Sequence, residues 1–285
     1  MYKAHHAWLF LAIPGILLLV FTVIPTVAAL FLSFTNYNVF SPVDWVGLAN
    51  YKQLIHDSNF WSAMKNTLTY WVLVTPALTI LSIFLAVLVN RKMKGVSVYR
   101  LIYYFPVLVS VVVTAMLWKW MFQEDGIMNY LLSIFNIAPA KWLTSKSMVM
   151  PSLAIVTIWQ GLGYYMLFYL AGLQSISEEL YEAADLEGAG FWKKQFYITF
   201  PLLRPVIFFV VVVSTMSAFK EFTMMLTMTK GGPIGSSKTV VYMIYEKAFE
   251  QLDMGYASAI SFALFLIILV LTLINQKFLD KDNQA

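Results

Sequence analysis

Six long apolar blocks occupy most of the chain, and the segments between them carry most of its charged residues. A helix that crosses a bilayer core of about 30 Å needs around 20 mostly apolar residues. The blocks meet or approach this length, and they predict an all-α integral membrane protein whose residues 1–285 form a single transmembrane domain. The six transmembrane helices are expected at about 8–34, 68–89, 101–118, 149–173, 202–228 and 256–275.

The first block resembles a removable targeting segment only superficially. The apolar core of a signal peptide is about 7–15 residues long, whereas no charged residue occurs here between Lys3 and Asp44. We therefore expect the first block to remain in the protein as its first transmembrane helix.

The composition agrees with a membrane protein and excludes several kinds of chemistry. Apolar residues make up 60% and charged residues 12% of the chain, against about half and about a quarter in soluble domains. There is no Cys, so thiolate metal sites are excluded, and His5 and His6 fit a surface role at the membrane interface better than a metal site. Gly231, Gly232 and Pro233 indicate a turn, and no phosphate-binding Gly-Lys-Ser/Thr follows them. The chain is expected to be neither an enzyme nor a nucleic-acid-binding protein, and to hold no metal or cofactor.

The loops differ in basic charge, which predicts the orientation of the chain. Cytoplasmic loops of membrane proteins carry an excess of Lys and Arg. One alternate set of loops, together with both termini, has ten such residues, and the opposite, longer set has eight. The denser set consists of Lys3, Arg91, Lys92, Lys94, Arg100, Lys193, Lys194, Arg204, Lys277 and Lys281. Both termini are therefore expected in the cytoplasm.

The predicted cytoplasmic loop 175–201 has a helical pattern of its own. Ser175 and Glu178 have the spacing of a capping box, and acidic residues in a first turn suit the helix dipole. We expect a short helix from Glu178 to Glu187. A second amphipathic segment, Phe191 to Thr199, is expected to end before the fifth transmembrane helix.

The same loop contains a motif with a characteristic spacing. It consists of Glu182, Ala183, Ala184, Gly188, Ile198 and Pro201. The motif resembles that of the permease subunits of binding-protein-dependent ABC importers, from which the chain departs by Phe200 in place of Leu. The resemblance implies a type I ABC importer permease fold and a role for these six residues in coupling to an ATPase. Small Ala side chains allow close approach of a partner, and glycine permits a sharp turn. The alternative is a helix-turn-helix lying on the membrane surface.

Further short segments are similar to the carbohydrate branch of this family, the maltose and glycerol-phosphate type permeases. They lie at 25–26, 33–35, 46–51, 66–67, 159–174, 229–233 and 255–259. The resemblance implies a second permease subunit, two ATP-binding cassette subunits that bind the ATP, and an extracytoplasmic sugar-binding protein. It also implies a multi-pass location in the cytoplasmic membrane of a prokaryote.

Two predicted helices carry polar residues at helical spacing, which suits a sugar path. The candidates are Gln160, Gly161, Tyr164, Ser214, Ser217 and Glu221. For each, the alternative is an interhelical hydrogen bond or close packing by a small residue. Lys220 and Glu221 are charged residues within an apolar block, so they are expected to face the bundle interior or to reach the interface.

Together these observations predict a subunit of an ATP-driven importer for a sugar or oligosaccharide, forming half of the translocation path. The binding protein is expected on the outer loops, including the segments around Gly232 and Tyr256. A polyol or glycerol-phosphate is the alternative substrate, although a phosphate would call for more cationic residues than Lys220 alone. A secondary transporter is disfavoured because the chain has no detectable internal repeat and few ionisable residues within its apolar blocks.

Overall fold

The structure, a computed structural model, describes residues 4–40, 42–90 and 95–282, with side chains described for 11–40, 42–90 and 95–275. Within these ranges the chain is helical, and its β pairings are the isolated bridges Thr35–Trp45 and Asn38–Asp253. The predicted all-α fold is thus confirmed. Several side chains named above lie outside the described residues, namely those of Lys3, His5, His6, Arg91, Lys92, Lys94, Lys277 and Lys281.

The described residues form thirteen α-helices and four π-helical turns. The α-helices are α1 (Ala4–Leu18), α2 (Ile24–Leu32), α3 (Ala49–His56), α4 (Ser58–Val89), α5 (Val96–Leu108), α6 (Val111–Met121), α7 (Ile127–Ile134), α8 (Val149–Gln174), α9 (Glu178–Leu186), α10 (Phe191–Lys194), α11 (Phe200–Phe219), α12 (Val240–Tyr245) and α13 (Met254–Asp282). The π-helical turns are Leu19–Val23, Gln195–Thr199, Met225–Thr229 and Glu246–Glu250.

Five helical segments of the described chain are long and apolar enough to cross a membrane. They are Leu11–Leu32, Ser58–Val89, Val149–Gln174, Phe191–Phe219 and Met254–Asn275. Helices α5 and α6 make a sixth span if they are counted together, although the chain bends by 95° between them. The spans follow the order of the six apolar blocks, and the fourth agrees with its predicted range to within one residue.

The third span is broken where the sequence predicts a continuous helix over 101–118. Helix α5 ends at Leu108, and Val109 is extended at φ −82° and ψ 136°. Pro106 lies in the last turn of α5 and has no N–H to continue the hydrogen-bond ladder. The Gln160 side chain donates to the carbonyl of Val109 at 3.0 Å, so a neighbouring helix supplies the donor that the break removes.

The fifth span begins earlier and ends earlier than the predicted 202–228. It starts at Phe191, because the π-helical turn Gln195–Thr199 leads directly into α11. Pro201 does not end the segment: the chain passes through the π-helical turn Gln195–Thr199 just before it and continues as α11.

The same span ends at Phe219, so Lys220 and Glu221 lie at a break rather than inside a helix. The Glu221 carboxylate accepts from the Met224 backbone N–H at 2.9 Å and caps the helical turn that follows. The Thr239 hydroxyl donates to the Glu221 carbonyl at 3.2 Å. Two polar groups thus satisfy the backbone that the break exposes.

The chain divides into two compact units, Met1–Trp61 with Met243–Ile267, and Ser62–Tyr242 with Ile268–Ala285. In the first unit, Asn50 is buried and donates to the carbonyls of Ser33 and Thr35 at 2.9 and 2.8 Å. The hydroxyls of Ser33 and Tyr51 are 2.7 Å apart. These bonds fasten α3 to the end of α2, so Asn50 and Tyr51 have a structural role.

Gly255 in the first unit packs directly on backbone. Its N–H donates to the Tyr37 carbonyl at 2.9 Å, and a Cβ built at Gly255 would overlap the Thr35 carbonyl oxygen. The buried Tyr256 donates its hydroxyl to Asp57 at 2.8 Å. Two of the sequence segments that resemble carbohydrate permeases, 33–35 and 255–259, therefore meet in one packed corner.

The second unit contains the main apolar core, to which α4, α8 and α11 contribute most of the buried side chains. Tyr70, Leu153, Met166, Leu203 and Val210 are among its buried side chains. Helices α5 and α8 pass close to each other at Gly163, where a Cβ would overlap the Tyr103 carbonyl and lie 2.7 Å from Tyr104 Cα. Glycine is required at this crossing, as small residues often are where membrane helices meet.

Candidate functional site

Loop 175–201 forms a short helix, α9, that ends one residue before the predicted Glu187. Its N-cap is Ser177, whose hydroxyl accepts from the Glu179 N–H at 3.3 Å. The predicted cap, Ser175, is wrong: its hydroxyl donates instead to the Gly172 carbonyl at 2.7 Å, at the end of α8. The helix α8 continues to Gln174, which leaves Ser175 two residues too early to cap α9.

Four of the six motif residues lie on α9 or in the turn that follows it. Glu182 and Ala183 are exposed and Ala184 is half-buried. Gly188 follows at φ +75°, the left-handed region that favours glycine, with nothing within 4 Å of a Cβ built there. Leu186, the last residue of α9, is 91% exposed. The helix therefore exposes small and apolar side chains beside four acidic ones, Glu178, Glu179, Glu182 and Asp185.

The other two motif residues lie beyond the loop turn. Ile198 is in the π-helical turn Gln195–Thr199 and Pro201 is in the first turn of α11, and both are half-buried. They belong to the helix that enters the membrane span, so the motif connects the exposed α9 with α11.

Two contacts that the motif does not include fasten α9 to this second segment. The hydroxyls of Tyr181 and Thr199 are 2.9 Å apart, and Lys194 forms an ion pair with Asp185. Sequence reasoning missed all four residues, because they pair across a glycine turn whose geometry the spacing does not define.

A cavity of about 520 Å³ lies beneath α9, at the same end of the second unit. Arg100 lines it and donates to the carbonyl of Val89 at 3.0 Å, which satisfies the last turn of α4. Tyr181 and Thr199 also line it. The helix α9 is thus held at its edge while space remains below it.

A second cavity, of about 370 Å³, contains all six residues that the sequence singled out on the fourth and fifth helices. We call it the α8–α11 cavity. Its lining residues are Tyr70, Val74, Leu78, Val107, Val111, Thr157, Gln160, Gly161, Tyr164, Tyr165, Val213, Ser214, Ser217, Ala218 and Glu221. Its volume lies within the range of about 300–1,000 Å³ that is usual for small-molecule sites.

The six residues do not contribute equally to this cavity. Gln160 is held by Val109 and by the Thr114 hydroxyl, 3.3 Å away, so its amide also supports the bend. Gly161 is packed, since a Cβ built there would lie 3.2 Å from Leu78 Cδ2. The ring of Tyr164 is 40% exposed and offers both an aromatic face and a hydroxyl.

On the α11 side, Ser214 is buried and donates to the Val211 carbonyl at 3.2 Å. Ser217 is exposed and accepts from the Tyr165 hydroxyl at 3.5 Å, a long bond that leaves room for another partner. Glu221 is half-buried and carries the one charge among the described residues that line the cavity.

Three polar residues that line the cavity are not among the candidates selected from the sequence. The hydroxyls of Tyr70 and Thr157 are 2.6 Å apart, and Tyr165 donates to Ser217. Tyr70 lies on α4, outside the two helices considered. Thr157 lies three residues before Gln160, so helical spacing on α8 could have included it.

No group of three His, Cys, Asp or Glu side chains suited to a metal ion occurs in the described part of the chain. The cavity offers hydroxyl, amide and aromatic groups instead. A multi-span helical membrane protein with an exposed loop helix and a cavity lined partly by polar side chains has the features of a membrane transport subunit.

The chain belongs to the family of binding-protein-dependent transport system inner membrane components, whose model matches residues 78–282. It is 37% identical over 261 residues to a probable ABC transporter permease protein, YesP, of Bacillus subtilis, covering 90% of this chain and 84% of that one. It is 34% identical to the arabinooligosaccharides transport system permease protein AraP of Halalkalibacterium halodurans, covering 87% and 79%. It is 31% identical to the trehalose/maltose transport system permease protein MalF of Thermococcus litoralis, covering 91% and 88%. The resemblance to carbohydrate ABC permeases is thus confirmed.

The fold is similar to that of a solved bacterial ABC transporter involved in the import of the acidic polysaccharide alginate. The TM-score is 0.84 at 24% identity, covering 96% of each chain. A structure of the alginate ABC transporter in complex with an alginate pentasaccharide-bound periplasmic protein gives a TM-score of 0.82 at 24% identity, covering 95% and 93%. The type I importer permease fold expected from the sequence agrees with both likenesses.

Proposed function

We propose that this chain is a permease subunit of an ATP-driven importer for a neutral sugar or oligosaccharide, and that the α8–α11 cavity is its half of the translocation path. The observation that carries the proposal is the cavity itself, which contains all six polar and small residues selected for a sugar path. Hydroxyl, amide and aromatic groups suit sugar rings. The sugar-specific names of the relatives AraP and MalF support the same substrate class.

A phosphorylated polyol is the less favoured substrate. Phosphate recognition relies on Arg or Lys, whereas the described residues lining the cavity include Glu221 and no cationic side chain. Lys220 is exposed at the adjacent helix break and does not line the cavity. A secondary transporter is also less favoured, because Glu221 is the single charged side chain among the described residues that line the cavity.

The partners that we propose are a second permease subunit, two ATP-binding cassette subunits and an extracytoplasmic sugar-binding protein. The span Leu11–Leu32 bears on the second permease subunit. Its most apolar stretch of 18 residues has no buried side chain, so this surface can be covered by another subunit or by lipid. The binding protein would use the segments around Gly232 and Tyr256. Tyr256 is itself buried, so Phe249, seven residues before it, would make contacts in that segment, and the exposed Ile234 would make them in the segment around Gly232. ATP would be bound by the partner subunits.

The proposed mechanism is alternating access driven through loop 175–201. An ATPase that closes on ATP would move α9 through Glu182, Ala183, Ala184 and the turn at Gly188. The Tyr181–Thr199 hydrogen bond and the Asp185–Lys194 ion pair would pass this motion to the segment before α11. Helix α11 carries Ser214 and Ser217, so its displacement would change the shape of the cavity.

The test is co-purification of the chain from its native membrane in mild detergent, with mass spectrometry of the proteins that accompany it. We expect an ATPase and a second, different permease. Glu182→Lys and Gly188→Trp should each lose the ATPase, because both change the exposed surface of α9. Ser175→Ala is the matched control, since its hydroxyl bonds only within the end of α8. A chain that purifies with no ATPase in any variant would rule out the importer.

A further inference from the structure

The short helix α7 is built with one satisfied polar side and one exposed apolar side. On the inner side, buried Asn129 accepts from the Ala140 N–H and from Trp142 Nε1, both at 2.9 Å, and donates to the Glu124 carbonyl at 3.0 Å. The helix is therefore fixed to the loop around it. Met128, on the same helix, packs against the apolar core of the second unit.

The other side of α7 consists of large apolar residues that contact little of the chain. The exposed fractions are 66% for Tyr130, 45% for Leu131, 57% for Ile134, 74% for Phe135 and 52% for Ile137. Exposed apolar residues in contiguous groups indicate a surface that another molecule or a membrane covers. We call this group the α7 apolar face.

The end of the helix contributes to the same face. Asn136 has a φ of 56°, and the Ile137 N–H donates to the Leu132 carbonyl at 3.0 Å. This is the geometry of a Schellman motif, which turns the chain back at a helix C-terminus. The hydroxyl of Ser133, the polar residue within the face, donates to the Tyr130 carbonyl at 2.7 Å.

The lack of charged residues in this segment and its position next to a membrane span favour a lipid surface as the occupant of the α7 apolar face. Residues 126–140 contain no charged side chain, and the flanking charges are Asp125 and Lys141. A protein partner of an exposed loop would be expected to find polar or charged anchors there. Five residues separate the end of the preceding helix, α6, from the start of α7, and the last turns of α6 expose Met116 and Trp120 at 60% and 61%. Trp and Tyr are the residues enriched where a span meets the membrane–water interface.

We propose that α7 lies along the membrane interface, with the α7 apolar face in the boundary between headgroups and acyl chains. This inference goes beyond the transport function and does not depend on the substrate. An interfacial position of α7 would restrain the end of α6 that lies nearest to it. Helix α6 is one of the two helices that meet at the 95° bend, where Gln160 donates to the Val109 carbonyl.

The test uses the absence of Cys from the chain. Tyr130→Cys and Ser133→Cys, each carrying a nitroxide, are reconstituted with the other transporter subunits in phosphatidylethanolamine–phosphatidylglycerol vesicles. Collisions with oxygen, which concentrates in lipid, are compared with collisions with a water-soluble nickel chelate. Ser133→Cys keeps every apolar residue of the face, so its result stands even if Tyr130→Cys fails to fold. Lys146→Cys, on an exposed residue of the same loop, is the control for water.

We expect the ratio of oxygen to nickel collisions at both helix positions to be severalfold higher than at Lys146. A ratio equal to that at Lys146 would overturn the proposal, because the face would then be in water. Protection from both reagents would overturn it too, since the face would then be covered by protein. Removal of the binding protein or of the second permease would show which of these covers it.

Discussion

At the scale of single residues, Gln160 combines two roles that a sequence presents as alternatives. It lines the α8–α11 cavity and also donates to the Val109 carbonyl at the break between α5 and α6. A carbonyl at membrane depth that loses its donor has no water to replace it. The structural role of Gln160 should therefore be measurable in the absence of any sugar.

We expect Gln160→Leu to lower the free energy of unfolding by about 1–3 kcal/mol, the usual cost of an unsatisfied buried polar group. Ser217→Ala, across the same cavity, should leave stability near that of the wild type, because its one bond is long. Sugar uptake by proteoliposomes should show a higher KM for Ser217→Ala. Thermal unfolding of the detergent-purified transporter gives the first comparison, and uptake kinetics give the second.

The opposite pattern would change the assignment of both residues. A Gln160→Leu variant with an unchanged unfolding temperature and reduced uptake would make Gln160 a substrate contact only. A Ser217→Ala variant that loses stability but keeps its KM would make Ser217 a packing residue.

The residues of the cavity show how far sequence alone reaches at this scale. Ser214, Ser217 and Glu221 could be selected because helical spacing puts residues three and four apart on one face. Tyr70 could not, because its position in the cavity depends on how α4 packs against α8, which no periodicity encodes. The break at Glu221 was also missed, since its carboxylate caps a helical turn that the apolar pattern continues through.

At the scale of elements, the two halves of loop 175–201 are joined across the glycine turn at Gly188. If α9 transmits the motion of an ATPase, its connection to the segment before α11 matters as much as its docking surface. The Tyr181–Thr199 hydrogen bond is the neutral part of this connection. It can be removed without changing the charge of the exposed surface of α9.

We expect Tyr181→Phe to keep the ATPase subunits bound while the stimulation of ATP hydrolysis by sugar-loaded binding protein falls severalfold. The reason is that the docking residues Glu182 and Ala183 are unchanged, whereas one link to α11 is lost. Tyr197→Phe, at a side chain 80% exposed on the same segment, is the control. Stimulated hydrolysis is measured in nanodiscs with all subunits present. Stimulation equal to that of the wild type would show that Thr199 does not carry the signal.

Helix boundaries follow from the sequence only where composition changes sharply. The predicted 149–173 matches Val149–Gln174, because polar and charged residues flank that block. Helix α4 begins at Ser58, ten residues before the predicted Leu68, since its first turns carry polar residues that apolar periodicity does not count. The bend after Leu108 depends on Pro106 together with a donor from another helix, and only the proline is visible in the sequence.

At the scale of the whole molecule, orientation in the membrane rests on loop charge. The bias of ten basic residues against eight is moderate, but the ten lie in shorter loops and termini. The proposed function adds an independent requirement, because ATPases act in the cytoplasm and loop 175–201 must face them. Both arguments place that loop and the termini on the same side.

The absence of Cys allows this orientation to be measured with single introduced thiols in whole cells. Lys146→Cys, in the loop that contains α7, should react with a membrane-impermeant maleimide from outside. Lys193→Cys, in loop 175–201, should react only after the membrane is opened, and both should react fully in dodecyl sulfate. Both side chains are exposed in the structure, so reactivity reports the side of the membrane.

If Lys193→Cys reacted from outside in intact cells, α9 would be separated from any ATPase, and the charge bias and the coupling role would fail together. A Lys146→Cys thiol shielded from outside but reactive after opening would invert the topology in the same way.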